Sequence, residues 1–322
     1  MTFSFVVPTF RRPDALRRTL AAVAAVDYPE EGWEVIVVDD GSGDETPRAV
    51  AEAMPTARFI TQVNAGAATA RNRGAEAARH EVLVFLDDDM IVAPDHLLRH
   101  EEAHQRFDPC MVNGHWEFEE ALLSQLQRTP FGRFRLEVEE WVKAGLQKID
   151  LGDGFVCPPL MTACNLSVRR ASFLGLGGFD ESFAAAGAED QELSVRAREA
   201  GLRFVYAPQI RLAHNDGRIE FRQFCRRQRE GARSAQVLAT KHPAEFAGAA
   251  LVTENGRVRR DDPRSVKVKK LAKRLASTGV GLAGVHAGIG LLERVSPEAR
   301  LLRRAYWATT GLYIYRGILD QE

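Results

Sequence analysis

An α/β fold on a mostly parallel, doubly wound sheet is the architecture predicted by this sequence, and two observations carry it. Short apolar runs alternate with helix-period stretches through the first hundred residues. Helix-starting residues fall between those runs, as repeated strand-helix units require.

The elements follow in order. Phe3 to Val7 reads as a first buried strand, because the apolar start is too short for a signal peptide's centre and no basic residue precedes it. Pro13 opens a helix with Leu16, Leu20 and Val23 at i, i+4 and i+7. Strands are expected at Glu34 to Val38, Arg58 to Thr61 and Val82 to Leu86, with an alanine-rich helix from Ala67 to Ala78. Asp44 or Thr46 caps a helix beginning at Pro47. Helical spacing runs from Glu117 to Lys148, then Gly152 to Pro159 reads as a loop and Met161 to Val168 as a strand. A helix starts at Glu189-Asp190 and ends near Ala200-Gly201, and Phe204 to Tyr206 is a short strand. His96, His100 and His104, at helical spacing, are expected on a solvated helix face. Beyond His214 the chain reads as helical and basic, with no internal repeat.

At 322 residues with 45% hydrophobic and 27% charged residues, the chain has the composition of a globular protein with one large core and an appended module. The net charge of −1 hides an asymmetry. Residues 211 to 322 carry 22 Lys and Arg against 11 Asp and Glu, a local charge of +11, which leaves −12 in residues 1 to 210. Cys110, Cys157, Cys164 and Cys225 have neither zinc-site nor redox spacing, so reduced thiols in a cytoplasmic protein are expected.

In doubly wound sheets ligands bind beyond the carboxyl ends of strands. Two strand ends here stop in acid clusters, Asp39-Asp40 and Asp87-Asp88-Asp89. Consecutive aspartates alone more often form a solvated turn; two clusters on one sheet edge favour a site. Asp87 and Asp89 can hold a hard divalent cation through oxygen, and such a metal accepts phosphate oxygens. A carboxylate at Asp39 or Asp40 can accept the ring N–H of uracil, thymine or guanine, which cytosine lacks. Asn64 and Gly66 form a tight turn into the helix bearing Arg71 and Arg73, where a guanidinium suits a diphosphate or small residues suit close packing.

The ordered set Val6-Val-Pro8-Thr-Phe, Val37-Val-Asp39-Asp40-Gly-Ser, Asn64-x-Gly66 to Gly74 and Phe85-Leu-Asp87-Asp-Asp89 resembles family 2 glycosyltransferases of the GT-A fold. The resemblance continues through Asn165-Leu-Ser-Val-Arg169, Gly177-Gly178-Phe179-Asp180 and Glu189-Asp190-Gln-Glu192, covering roughly residues 3 to 240. It implies a Rossmann-like nucleotide-binding half at 1–105, an acceptor-binding half at 106–240 and a basic helical region at 241–322. It further implies an inverting enzyme that uses Mn²⁺ or Mg²⁺ and a nucleoside-diphosphate sugar of the UDP, GDP or TDP type. Pro8, Asp39, Asp40, Asn64, Gly66, Arg71 and Asp88 would then contribute to the nucleotide-sugar site, and Asp87, Asp89 and His214 to the metal. Asn165 and Glu189 fall on the acceptor side. Asp190 falls where the family places its general base; helix capping is the alternative for the Glu189-Asp190 pair, as an ordinary hydrogen-bonded histidine is for His214.

Arg222-Gln-Phe-Cys-Arg226-Arg227 replaces the Gln-x-x-Arg-Trp motif of the processive branch, and no run of about 18 apolar residues could build a translocation channel. A nucleotide-sugar-forming nucleotidyltransferase would show a Gly- and Lys-rich phosphate loop, which Pro8 to Pro13 lacks. An inactive binding module would have lost one of Asp87, Asp89 and Asp190. The acceptor class stays open among a glycan, a lipid-linked and a small molecule, as does the oligomeric state. No nucleic-acid motif accompanies the basic charge. Basic helices with Trp and Tyr suit the cytoplasmic face of a membrane; helices with solvated basic faces are the alternative.

Overall fold

The computed structural model describes residues 1–145, 149–183, 187–217 and 219–321. Two compact units form. The first comprises Met1–Leu122, Ala144–Ala184 and Glu189–Asp216; the second comprises Leu123–Lys143, Ala185–Ala188 and Gly217–Glu322. The packing division after Asp216 puts the helix Phe221–Lys241 with the C-terminal helices, whereas the sequence expectation drew its boundary at 240.

The first unit is a ten-stranded sheet. In chain order its elements are β1 (Phe3–Thr9), α1 (Pro13–Ala24), β2 (Trp33–Asp39), α2 (Thr46–Ala53), β3 (Arg58–Thr61), α3 (Ala67–Ala77), β4 (Val82–Leu86), β5 (Met90–Val92), α4 (His96–Phe107) and β6 (Cys110–Phe118). After α5 (Glu120–Gln127) and α6 (Pro130–Gly145) come β7 (Ile149–Gly152), β8 (Phe155–Cys157), β9 (Asn165–Arg169), α7 (Arg170–Gly175), α8 (Glu189–Glu199) and β10 (Arg203–His214). The order is β3-β2-β1-β4-β9-β6-β10-β8-β7, with β5 paired to β10. The strands β3, β2, β1 and β4 are mutually parallel, while β9 runs antiparallel to β4 and β6. The carboxyl ends of β1, β2, β4, β6 and β10 therefore share one edge of the sheet.

Alternation along β1 sends Phe5 and Val7 to one face with Leu16, Leu20 and Val23 of α1. It sends Val6 to the other, with Ala70 and Ala75 of α3 and Leu193 of α8. A Cβ at Gly74 would collide with Val6 Cγ1, so the small residues of α3 let that helix lie close on the sheet.

Several expectations are corrected. β6 extends to Phe118, and helix resumes only at Glu120; residues 146–148, the end of the expected helical stretch, lie outside the described residues. The expected loop at Gly152 to Pro159 holds part of the β7–β8 hairpin. The strand expected from Met161 begins at Asn165. β10 runs on to His214 because a bulge between Ala207 and Arg211 absorbs Pro208, which cannot donate to a ladder. The helix after Asp44 starts at Thr46, and the Asp44 carboxylate accepts both the Thr46 N–H and its hydroxyl.

His96, His100 and His104 are buried rather than solvated. They form the sheet-facing side of α4. The Ser167 hydroxyl lies 2.8 Å from His100 Nδ1 and 2.8 Å from His104 Nε2, and Asn165 Oδ1 lies 3.3 Å from His100 Nε2. Both His96 nitrogens lack a partner among the described residues, and its ring stacks on Phe5 at 6.1 Å. Burial lowers all three: His96 to about 3, His104 to about 4, and His100 well below its ordinary value.

The second unit contains α6, α9 (Phe221–Lys241), the short α10 (Pro243–Phe246) and α11 (Ala250–Thr253), α12 (Arg264–Ala276), α13 (Gly279–Val295) and α14 (Arg300–Leu319). Phe131, Phe134, Phe221, Phe224, Ile289, Leu302 and Tyr306 form its core.

The three imidazoles set a pH dependence. Their folded values lie below that of an unfolded chain, about 6.5, so the unfolded state binds more protons as pH falls and stability drops from about pH 6.5 toward 4. His96→Phe loses no hydrogen bond. Thermal unfolding should show it at least as stable as wild type at pH 7 and less weakened at pH 5; a steeper acid loss in the variant would contradict this account.

Candidate active site

The site is built where the shared strand edge meets acidic loops. Asp39 closes β2 and is buried, its Oδ1 accepting the Ser42 N–H at 3.0 Å. Asp40 is fully engaged: Oδ1 accepts from Gln62 Nε2 and the Ala65 N–H, each at 2.8 Å, and Oδ2 from the Gly66 N–H at 2.9 Å. Gly66 reaches that carboxylate in the left-handed region, at φ 95°, and opens α3. Asn64 Nδ2 donates to the Asp40 carbonyl. Asp40, Asn64 and Gly66 thus shape the turn, and Asp39 is the carboxylate with spare acceptor capacity. Pro8 is buried near the end of β1, opposite Val38.

The three aspartates after β4 point to different partners. Asp87 Oδ1 accepts from Arg71 Nη2 at 2.8 Å. Asp88 turns inward, accepting from Thr9 Oγ1 at 2.7 Å and Arg12 Nη1 at 2.8 Å. Asp89 Oδ2 accepts from Arg12 Nη2 at 2.7 Å and lies 3.4 Å from His214 Nε2. Burial and the Asp89 charge raise Asp88 to about 7 against the pull of Arg12. Burial pushes Asp89 up too, but His214 and Arg12 outweigh it and hold its carboxyl below the usual range.

His214 arrives by sheet pairing. Past its bulge, β10 runs antiparallel to β5 with His214 opposite Met90, and the Asn215 N–H donates to the Asp89 carbonyl at 2.9 Å. His214 Nδ1 is buried without a hydrogen-bond partner among the described residues.

Arg71, on the buried face of α3, links Asp87 to α8. Its Nη1 lies 3.1 Å from Glu189 Oε1 while Nη2 holds Asp87, and its guanidinium stands 5.5 Å over the Phe179 ring. Asp190 follows in the first turn of α8, where its Oδ1 accepts the Gln191 N–H at 2.9 Å. Burial and the neighbouring Glu189 charge raise Asp190 to about 6 despite Arg71. A helix N-terminus by itself would favour its ionised form, so burial is what makes Asp190 a better base here. Burial and the charges of Asp87 and Asp190 likewise push the Cys164 thiol up to about 12, which sets both carboxylates around it.

Asn165 starts β9 opposite Leu86, so its backbone is at this edge while its side chain turns away. Its side chain belongs to the histidine network beneath, with Oδ1 toward His100 and Nδ2 unpartnered. Arg12 escaped the sequence reading; its signal was its place directly after the first strand, on the edge where ligands bind.

Asp87 Oδ2 and Asp89 Oδ1 are free of hydrogen bonds among the described residues, and with His214 they are donor types suited to a divalent cation. No group of three or more His, Cys, Asp or Glu converges in metal-holding geometry among the described residues, where Arg12 occupies Asp89.

The sheet has the GT-A fold. In the known structures, the chain resembles the mannosyltransferase PcManGT from Pyrobaculum calidifontis in complex with GDP-Man and Mn²⁺, with a TM-score of 0.61 and 18% identity over 99% of this chain and 86% of that one. It also resembles GalNAc-T7 with UDP, GalNAc and Mn²⁺, with a TM-score of 0.57 and 15% identity over 84% and 53%. Among curated relatives, the uncharacterized glycosyltransferase YfnE of Bacillus subtilis (strain 168) is 29% identical over 67% of this chain and 65% of its own length. A validoxylamine A glucosyltransferase of Streptomyces hygroscopicus subsp. limoneus is 31% identical over 62% and 48%. The chain thus spans less than two thirds of these two relatives. The model of glycosyl transferase family 2 matches residues 4–161 of this chain.

The bridge through Arg71 has a measurable weight. Arg71→Met would remove the buried charge that Asp87 and Glu189 share, at a cost of about 3–5 kcal/mol. Denaturant unfolding should show that loss, and a loss below about 1 kcal/mol would mean the pair relaxes into water.

Proposed function

We propose that this protein is an inverting, non-processive glycosyltransferase moving a sugar from a nucleoside-diphosphate sugar to an acceptor hydroxyl. The observation that carries the reading is the meeting of a spare β2 carboxylate, the Asp87 and Asp89 pair, and a base of raised basicity at Asp190 around one sheet edge. Relatives named as glycosyltransferases and structural neighbours holding GDP-Man or UDP with Mn²⁺ support it.

In this reading Asp39 accepts a base N–H of a uridine, guanosine or thymidine nucleotide. Asp87, Asp89 and His214 would hold Mn²⁺ or Mg²⁺, which neutralises the leaving diphosphate when bound. Arg12 releases Asp89 for that purpose and, as a planar fork, offers itself to phosphate oxygens. Asp190 holds and then accepts the proton of the acceptor hydroxyl as the new glycosidic bond forms on the face opposite the leaving group. Arg71 and Glu189 position Asp190 without touching the reacting atoms. Asp88, occupied by Thr9 and Arg12, keeps the loop in shape. The partners are the sugar nucleotide and a glycan, lipid-linked or small-molecule acceptor.

Asp190→Asn keeps the shape and removes the base. Release of nucleoside diphosphate, followed over a panel of sugar nucleotides and acceptors, should fall by about 10²–10⁴-fold with nucleotide affinity unchanged. Because the base must be ionised, wild-type turnover should decline as pH falls through about 6. Near-normal turnover by a folded Asp190→Asn protein would remove Asp190 from the chemistry.

A further inference from the structure

The second unit exposes an apolar surface that its own core does not use. On α12, Val268, Leu271, Ala272 and Leu275 recur at i, i+3, i+4 and i+7, and all four are exposed; Leu275 is 76% exposed. This is the spacing of one helix face. The opposite side of α12 is the packed one, where buried Lys270 holds Asp262 at 2.9 Å and Lys273 holds Asn255 at 2.7 Å.

The next helix repeats the pattern. On α13, Val280, Ala283, Gly284, Ala287, Gly288, Leu291 and Val295 fall on one face and are exposed, with Val280 at 87%. From Gly279 to Leu292 that helix carries no Asp, Glu, Lys or Arg. The helices meet at 86°, and among the described residues no single helix is long and apolar enough to cross a membrane.

Charge indicates what covers this surface. Residues 257 to 304 hold 13 Lys and Arg against four Asp and Glu, a local charge of +9. Arg264 heads the α12 stripe, Lys267 and Arg274 border one side of it and Lys269 the other. A second copy of the chain would set these like charges against each other in a symmetric pairing, whereas anionic lipid headgroups complement them. Apolar stripe, basic borders and insufficient length to span are together the physical signature of a helix lying in a membrane interface.

We propose that α12 and α13 form a docking surface for an anionic lipid bilayer, α12 supplying the electrostatic contact and both helices apolar side chains for the acyl boundary. The proposal is independent of the sugar-transfer reading, because it uses no residue of the acidic edge.

Sedimentation of the 322-residue chain with vesicles tests it. The protein should pellet with vesicles of three parts phosphatidylcholine to one part phosphatidylglycerol, at least about tenfold better than with phosphatidylcholine alone, and high salt should release it. Leu271→Glu/Leu275→Glu should abolish pelleting, and Arg264→Gln/Lys267→Gln/Arg274→Gln should weaken it by about tenfold or more. Unchanged thermal unfolding of each variant would establish that the fold survives. The proposal is overturned by absence of binding to either vesicle, by equal binding to both, or by undiminished binding of a folded Leu271→Glu/Leu275→Glu protein. A wild-type dimer that the same substitutions convert to monomer would overturn it in favour of a second copy as the occupant.

Discussion

One buried guanidinium holds the candidate site together. Arg71 lies between Asp87, at the end of a parallel strand, and Glu189, at the start of a helix more than a hundred residues later. Without that charge, Asp87 and Asp190 would crowd around Cys164. The arginine is itself tolerable in the core because both terminal nitrogens are paired and its face meets the Phe179 ring. Asp87 and Glu189 thereby keep a fixed mutual geometry, as the proposed single-displacement chemistry requires.

A second guanidinium does something different. Arg12 forks across Asp88 and Asp89 from a partly exposed position. A buried bridge and an exposed fork on neighbouring carboxylates divide the loop into one part that is fixed and one that can exchange its cation. Asp88 belongs with the fixed part, since Thr9 shares it from β1.

The strands of the nucleotide-side sheet were legible because their signals are local: an apolar run, then acids, then a helix start. β3 and β4 have the limits expected from the residues alone. Roles within the acid clusters were not legible. Asp39 and Asp40 look alike in sequence, but the turn at Gly66 consumes one and spares the other. Arg12 acts on partners 76 and 77 residues away, and His100 and His104 of α4 are satisfied by Ser167 from a strand 63 or more residues on, so local periodicity registered polar residues and missed their burial. Pro208 interrupted the apolar pattern of β10 and hid the bulge that carries His214 to Asp89. In the C-terminal helices the basic charge was plain from composition, but the exposure of the apolar faces depends on which sides the core of that unit takes.

The central claim is that the acidic edge binds a nucleoside diphosphate with a divalent cation. Calorimetric titration of UDP, GDP, TDP and CDP, with and without Mn²⁺, into wild type and Asp89→Ala tests it most directly. The account predicts metal-dependent binding of one of the first three nucleotides, weak or absent binding of CDP, and loss of the metal dependence in the variant. Failure of well-folded wild-type protein to bind any of the four with Mn²⁺, or binding that Asp89→Ala leaves unchanged, would contradict it.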